Sequence, residues 1–145
     1  MNFFCKFFSR KNKSALFSAQ DLKKIKNIDS KVVVGKILKI APHPDPAVTR
    51  VKITQTKVAP GKTLQILCGG VNISEGKCVP VAKVGAKLAD FEIGERKIRG
   101  EVSRGMICSR EELGLNKKNE PEHGIWLLGN SFAKFVGSSL KDLRQ

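Results

Sequence analysis

Short apolar segments, each ended by glycine or proline, follow one another between positions 31 and 98. The first, residues 32–40, is β-branched and partly alternating, and Gly35 within it predicts a bulge or a kink. The three prolines in residues 42–46 lack amide hydrogens, so this stretch predicts a loop. The pattern restricts this part of the chain to an all-β fold of short strands and tight turns.

The same pattern continues beyond the proline-rich loop. Residues 51–54 alternate along a second strand, and Pro60-Gly61 predicts the turn into a third. The Gly69-Gly70 pair predicts a tight crossing, where the backbone approaches a neighbour closely or takes positive φ. The later strands are predicted at residues 63–68, 79–82, 85–88 and 91–98.

A cationic segment follows the last of these strands. Because side chains alternate along a strand, Lys97 and Arg99 share one face while Ile98 points to the other. Gly100 and Gly105 then bracket a turn-rich crossing. This segment therefore predicts a strand end that delivers two positive charges to a surface.

A short helix is predicted immediately after it. Ser109 precedes Glu112 by three positions, just ahead of Leu113, which is the spacing of a capping box. Gly114 predicts the stop of a helix little more than one turn long.

Three of these stretches together resemble a known family. They are Gln65-Ile-Leu-Cys-Gly-Gly-Val-Asn72, Val79-Pro-Val-Ala-Lys-Val-Gly-Ala86 and Lys97-Ile-Arg-Gly-x-x-Ser-x-Gly-Met-Ile-Cys-Ser109. They are similar to the tRNA-binding domain near the N-terminus of bacterial phenylalanyl-tRNA synthetase beta subunits. Free-standing bacterial tRNA-binding proteins and the C-terminal appendix of many methionyl-tRNA synthetases contain the same module. The resemblance covers roughly residues 32–115 and implies an OB-fold barrel with short added helices and a small C-terminal extension.

One loop departs from the family pattern. Pro46-Ala-Val-Thr49 stands where the family usually has Ala-Asp-Lys-Leu, so one lysine is absent while Arg50 keeps a charge beside the loop. In the family a His-Pro pair, here His43-Pro44, lies in this loop and borders the binding face.

The chain divides into three predicted parts. Residues 1–30 form a basic arm whose short amphipathic helix begins near Ser18, residues 31–116 form the OB-fold domain, and residues 117–145 pack back on the barrel. In the last part, residues 125–128 predict a strand with Trp126 in a packing role.

The formal net charge is +14, which favours a polyanionic partner, although a solubilising surface is the alternative. The chain has no tyrosine and only 6% aromatic residues, so recognition by shape and charge is expected rather than extensive base stacking. We therefore predict binding of structured RNA, with tRNA favoured by the resemblance. The expected phosphate contacts are Lys36, Arg50, Lys52, Lys97 and Arg99. The expected polar and apolar contacts are Asn72, Ser103, Met106 and Ser109.

Asn72 has two interpretations of equal weight, contact with the RNA or capping of the turn through Ser74. Met106 fits a core role as well as a contact role.

Catalytic chemistry is not indicated. His43 and His123 are tied by no motif to a serine or a cysteine, and the resemblance places aminoacylation in other domains or another subunit. Four widely spaced cysteines, at positions 5, 68, 78 and 108, predict buried reduced thiols rather than a metal site. We expect no enzyme activity, no metal and no cofactor.

Other functions remain as alternatives. The chain fits an auxiliary that raises the local tRNA concentration for an aminoacyl-tRNA synthetase, or a protein-docking or homodimerisation module related to a synthetase fragment. Residues 1–20 are basic and lack acids, which fits an arm on a cytoplasmic protein, an organelle transit peptide or an in-plane membrane anchor.

Overall fold

A computed structural model of the chain describes residues 17–143. The fold is mostly β, and a five-stranded antiparallel sheet in the order β3-β2-β1-β4-β7 curls into a nearly closed barrel. This confirms the predicted all-β, OB-like class. The arm residues 1–16, including Cys5, lie outside the described part of the chain. The strands are β1 (Val32–Pro42), β2 (Lys52–Ala59), β3 (Lys62–Cys68), β4 (Cys78–Lys83), β5 (Arg96–Ile98), β6 (Glu101–Ser103) and β7 (Gly105–Ile107).

The barrel closes where β3 meets the β6–β7 segment. The amide of Arg104 donates to the carbonyl of Gln65 at 2.9 Å. The amide of Leu67 donates to the hydroxyl of Ser103 at 3.0 Å. Strands β5 and β6 pair with each other as a separate two-stranded sheet, so they form a hairpin attached to the closing seam.

The mainly apolar interior of the barrel contains a hydrogen-bonded pair of buried threonines. The hydroxyl of Thr54 donates to the carbonyl of Ile66 at 2.8 Å and lies 2.8 Å from the hydroxyl of Thr56. Because the single Thr54 proton is used, Thr56 donates to Thr54. Both groups are satisfied without water, which removes the cost of burying them.

Two features of the predicted strands are corrected by the structure. The register of β1 against β2 shifts at Leu38, so the bulge lies there and not at Gly35. A Cβ on Gly35 would lie 2.6 Å from a methyl of Val81, so this glycine permits close packing across the barrel. Residues 85–88 and most of 91–98 are not barrel strands. They form an irregular loop in which the amide of Ile93 donates to the carbonyl of Ala86 and the amide of Gly85 donates to the carbonyl of Ile93.

The predicted N-terminal helix is present as α1 (Ala19–Ile25). Ser18 is its N-cap and accepts from the amide of Asp21 at 3.1 Å. Ile25 and Ile28 are buried against the barrel, while the lysines of this segment are exposed. The packing role predicted for the apolar stripe is therefore confirmed.

The segment after position 124 runs back over β1 and β4. The amide of Leu128 donates to the carbonyl of Cys78 at 2.8 Å, and the amide of Val34 donates to Ser138. The predicted strand at 125–128 is reduced to one isolated bridge at Leu128, because the segment crosses strands that already have partners. Short 3-10 helices follow at Asn130–Phe135 and Leu140–Asp142. Within residues 17–143, no helix is both long and apolar enough to cross a membrane.

Candidate functional site

The β1–β2 loop, residues 43–51, is bonded to the β5–β6 hairpin by His43. The Nε2 of this buried histidine lies 2.8 Å from the carbonyl of Ile98, and the amide of Asp45 donates to its Nδ1 at 3.0 Å. Because Nδ1 accepts, the ring proton is on Nε2 and donates to Ile98. We call residues 43–51 together with residues 96–103 the loop–hairpin surface. OB barrels hold nucleic acid on the strand 2–3 face and the flanking loops, and this surface lies in that region.

Arg99 lies in the turn of the hairpin, which corrects its predicted position on a strand. Ile98 pairs with Glu101, and the two residues between them have positive φ, 50° at Arg99 and 87° at Gly100. These values are those of a type I′ turn, whose twist matches paired antiparallel strands. The side chain of Arg99 is 65% exposed, and its guanidinium lies 3.6 Å from the carboxylate of Asp45.

Lys97 and Arg96 lie on opposite faces of β5, since neighbouring side chains of a strand alternate. Both are exposed, and neither has a carboxylate within ion-pair distance among residues 17–143. Arg96 was not among the predicted contacts. Arg96 and Lys97 are neighbouring cations on opposite faces of the strand. The sequence therefore did not indicate which of the two faces would contact a ligand.

Arg50 and Lys52 lie at the mouth of the barrel, at the same end as the loop–hairpin surface. Lys52 pairs with Pro42 on one side and Cys68 on the other. The two cations line a cleft of about 760 Å³ together with the Gly69–Val71 crossing. A Cβ on Gly70 would lie 2.8 Å from Ile125, which confirms the close approach predicted for this glycine pair.

Lys36 lies apart from these cations. It precedes Pro42 by six positions on β1, so about 20 Å of strand separates them. Its cross-strand partner is Lys57, which places two like charges side by side on the outer wall. Lys36 would reach only a ligand large enough to extend along the barrel.

The amide of Asn72 holds the C-terminal segment on the barrel. Its Nδ2 donates to the carbonyl of Ile125 at 3.0 Å, and its Oδ1 accepts from the Ile125 amide at 2.8 Å. Within the described residues, this replaces the predicted cap through Ser74. The distance of 53 positions between the partners explains why no local pattern indicated the contact.

Ser103 and Ser109 also have structural partners. The buried hydroxyl of Ser103 accepts from Leu67 and donates to the carbonyl of Gly105 at 3.1 Å. Ser109 forms the predicted capping box with Glu112, through bonds of 2.8 and 3.1 Å.

The helix that Ser109 caps is a single 3-10 turn, Glu111–Leu113, and Gly114 ends it with φ of 81° as predicted. Met106 is half-buried and lines a separate cavity with Phe91 and Ile98.

A buried ion pair joins α1 to the segment before this 3-10 turn, and sequence reasoning missed it. One guanidinium nitrogen of Arg110 lies 2.8 and 2.9 Å from the two carboxylate oxygens of Asp21. Arg110 also donates to the carbonyl of Asn116 at 2.7 Å and lies 4.8 Å from the ring centre of Trp126. Trp126 therefore packs, as predicted. The 89 positions between Asp21 and Arg110 leave no sequence signal for the pair.

The three described cysteines, Cys68, Cys78 and Cys108, are buried and free, as predicted. Burial raises the pKa of each thiol above its usual value, most strongly at Cys108. They are therefore protonated at neutral pH and act as small apolar groups. Among residues 17–143, no cluster of three or more His, Cys, Asp or Glu side chains could hold a metal ion.

Comparison with known proteins identifies a match that includes every strand of the barrel. A family model described as "Putative tRNA binding domain" matches residues 32–125. The phenylalanine–tRNA ligase beta subunit of Shouchella clausii (strain KSM-K16) is 44% identical over 92 residues, which is 63% of this chain and 11% of the relative. The same subunit from Chlorobaculum tepidum is 43% identical over 97 residues, which is 63% of this chain and 12% of the relative.

The beta subunit of Lactococcus lactis subsp. lactis (strain IL1403) is 45% identical over 101 residues, which is 67% of this chain and 12% of the relative. The matched region thus spans only 11 to 12% of the length of these three relatives.

Proposed function

The chain belongs to the tRNA-binding domain family, and from this premise we propose that it is a non-catalytic module that binds tRNA by shape and charge. The observation that carries the proposal is the bonding of loop 43–51 to the β5–β6 hairpin through His43. This contact brings cations from distant parts of the sequence to one end of the barrel. They are Arg50, Lys52, Lys97 and Arg99.

The phosphates of folded RNA are the best match for these groups. Exposed lysine and arginine side chains contact phosphates without reading sequence, and four such groups on one surface fix the orientation of a rigid polyanion. Lys36 supplies a fifth contact when the RNA extends along β1. The side chains of Asn72 and Ser103 fix the backbone at Ile125 and at the closing seam, and Ser109 caps the 3-10 turn.

A relation to a synthetase is the second part of the proposal. The similar proteins are phenylalanine–tRNA ligase beta subunits, and the similarity covers only a small part of each. We propose that the chain acts as an auxiliary that raises the local tRNA concentration for such an enzyme. Salt-sensitive binding of modest affinity suits that role, because the tRNA must be released again.

The test is fluorescence anisotropy of labelled tRNA, and of duplex DNA of equal length, over a series of salt concentrations. With about five phosphate contacts, log K against log salt has an expected slope near −4.5. The double variant Lys97→Ala with Arg99→Ala should weaken tRNA binding by about tenfold and reduce the slope by roughly two. The matched control, Lys23→Ala with Lys26→Ala, removes two exposed charges, one from α1 and one from its C-cap, and should change the affinity less.

Two results would contradict the proposal. Equal loss in the two double variants would mean that net charge, and not the loop–hairpin surface, drives binding. Equal affinity and slope for tRNA and duplex DNA would mean that the RNA has no preferred fit. The protein-docking or homodimerisation alternative would then be the better hypothesis, and sedimentation equilibrium at micromolar concentration would test the dimer.

A further inference from the structure

A cavity of about 380 Å³ lies between the barrel and the loop that precedes β5. Its floor includes the buried side chains of Leu67, Ile93 and Ser103. Its rim includes Phe91 and Arg96. The volume lies within the range of small-ligand sites, about 300 to 1,000 Å³, and the walls are mainly apolar.

Phe91 is the feature of this cavity that packing does not explain. Its side chain is 44% exposed, whereas Ile93, two positions later, is buried in the core. Phe91 is in neither of the two buried clusters of the described chain. An apolar ring held at the mouth of an apolar cavity offers a flat surface for stacking.

The cavity opens beside the β5–β6 hairpin, where residues 96–104 carry four basic side chains and one acidic one, and the carboxylate of Glu92 lies on its opposite rim. Arg96 and Ile98 belong to the β5 strand whose other face carries Lys97, so the opening and the phosphate-binding cations are parts of one hairpin. A polyanion that wraps around the edge of the hairpin would contact Lys97 on one face and Arg96, beside the opening, on the other. The charge of Arg96 favours a nucleic acid over an uncharged apolar peptide as the occupant.

We propose that the cavity binds one unpaired nucleobase of the bound tRNA, stacked on Phe91. The proposal rests on the proposed function and adds to it a contact that phosphate binding lacks. Arg96 can donate to a base carbonyl or ring nitrogen, and Glu92 on the same rim can accept from an exocyclic amine. A single aromatic at a single cavity takes one base, which agrees with the low aromatic content of the chain.

This site gives the protein a way to distinguish tRNA from uniform duplexes. A base inside a duplex is stacked and paired, so it cannot enter the cavity without unstacking, whereas the loops of a tRNA offer unpaired bases. The barrel would then recognise an unpaired base at a fixed distance from a set of phosphates, without reading a long sequence.

The test compares two labelled RNAs by anisotropy at constant salt: a tRNA and a fully paired blunt RNA duplex of similar length. Phe91→Leu keeps the apolar volume near that of the wild type but removes the aromatic face. It should weaken tRNA binding by about tenfold and leave duplex binding within twofold, because base–aromatic stacking is worth roughly that much. Phe91→Tyr keeps the ring and should bind tRNA within twofold of the wild type.

The control variant is Leu38→Ala, which changes an exposed apolar side chain of similar exposure that does not line the cavity. It should leave both affinities within twofold. Thermal unfolding by circular dichroism should show each variant folded at the assay temperature, since Phe91 and Leu38 are both outside the buried core.

The outcomes separate this proposal from the proposed function. If wild-type protein binds tRNA and Phe91→Leu binds it equally well, the base site is overturned and the proposed function stands. An equal loss for tRNA and duplex also overturns the base site, because a general surface effect would explain it. If the wild type shows no preference for tRNA over the duplex, the proposed function and the base site both fail.

Discussion

Residues 17–143 contain two arginine–aspartate pairs in opposite environments, at the loop–hairpin surface and at the junction of α1 with the barrel. Arg99 and Asp45 lie 3.6 Å apart, with side chains 65% and 31% exposed. Arg110 and Asp21 lie 2.8 Å apart, with side chains 5% and 10% exposed. The same two residue types therefore make one pair open to solvent and one pair enclosed by protein.

The difference in burial indicates which cations are available to bind a ligand. A buried pair is fixed because separating it leaves a charge without solvent, while an exposed pair gains little and separates easily. Arg110 serves to attach α1 to the barrel. Arg99 can exchange Asp45 for a phosphate at small cost, which is what the proposed RNA contact requires.

The largest predicted effect tests the enclosed pair. Arg110→Ala leaves the carboxylate of Asp21 buried without its partner and the Asn116 carbonyl without its donor. The free energy of unfolding should fall by about 3 to 5 kcal/mol. Urea denaturation followed by far-UV circular dichroism measures it, since the fluorescence of Trp126 would change with its arginine neighbour.

The matched control is Arg99→Ala, which removes the same side chain from the exposed pair. Its loss of stability should be at most about 1 kcal/mol. Similar losses in the two variants would show that burial does not separate the pairs. A change in tRNA affinity for folded Arg110→Ala as large as that for Arg99→Ala would contradict the assignment of roles.

The second prediction concerns Asn72, a polar side chain near the cationic cleft with a structural role. Asn72→Ala removes both bonds to the Ile125 backbone and should cost about 2 kcal/mol of stability, because the amide and carbonyl of the buried Ile125 lose their partners. Asn72→Asp keeps the acceptor for the Ile125 amide but not the donor, so its loss should reflect the missing donor. Thermal or urea unfolding measures both variants.

The tRNA affinity of the folded Asn72→Ala variant tests whether Asn72 has only a structural role. The wild-type amide is already engaged, so tRNA affinity should remain within about twofold of the wild-type value. A tenfold loss of affinity with unchanged circular dichroism would instead make Asn72 a direct contact, as the sequence interpretation allowed.

The smallest predicted effect concerns Arg99, where the cost of the backbone conformation and the contribution of the charge to binding can be measured separately. The residue has φ of 50°, a region that costs most L-residues about 1 to 2 kcal/mol and glycine almost nothing. Arg99→Gly should therefore raise stability by about 0.5 to 1 kcal/mol after the entropy cost of glycine, while weakening tRNA binding. Lower stability together with weaker binding would mean that the hairpin needs the arginine contacts for its fold.

Local patterns predicted the local structure of this chain. The Ser18 cap, the Ser109–Glu112 capping box and the left-handed Gly114 depend on residues within four positions of each other. The pattern of apolar residues in β1 to β4 was regular enough to predict these four strands from the sequence. The wrong strand at residues 85–88 has the same character but lies in a loop, because β4, the strand just before it, is already paired with β1 on one side and β7 on the other.

The candidate site was only partly predictable for the same reason. Cationic residue types identified Arg50, Lys52, Lys97 and Arg99, but their proximity depends on His43, whose partner lies 55 positions away. The exposure of Phe91 could not be read from its neighbours, since Ile93 in the same segment is buried.

The sequence by itself determined the family of the chain, its β class, its caps and turns, and the sign of its charge. These features follow from residue types and short spacings, which the backbone expresses locally. Only the tertiary structure decided which of two arginines is enclosed, which polar side chains hold the backbone and which cations meet at one end of the barrel. Those outcomes depend on burial and on pairs 50 to 90 positions apart, and solvent access at such pairs is set by the packing of the whole fold.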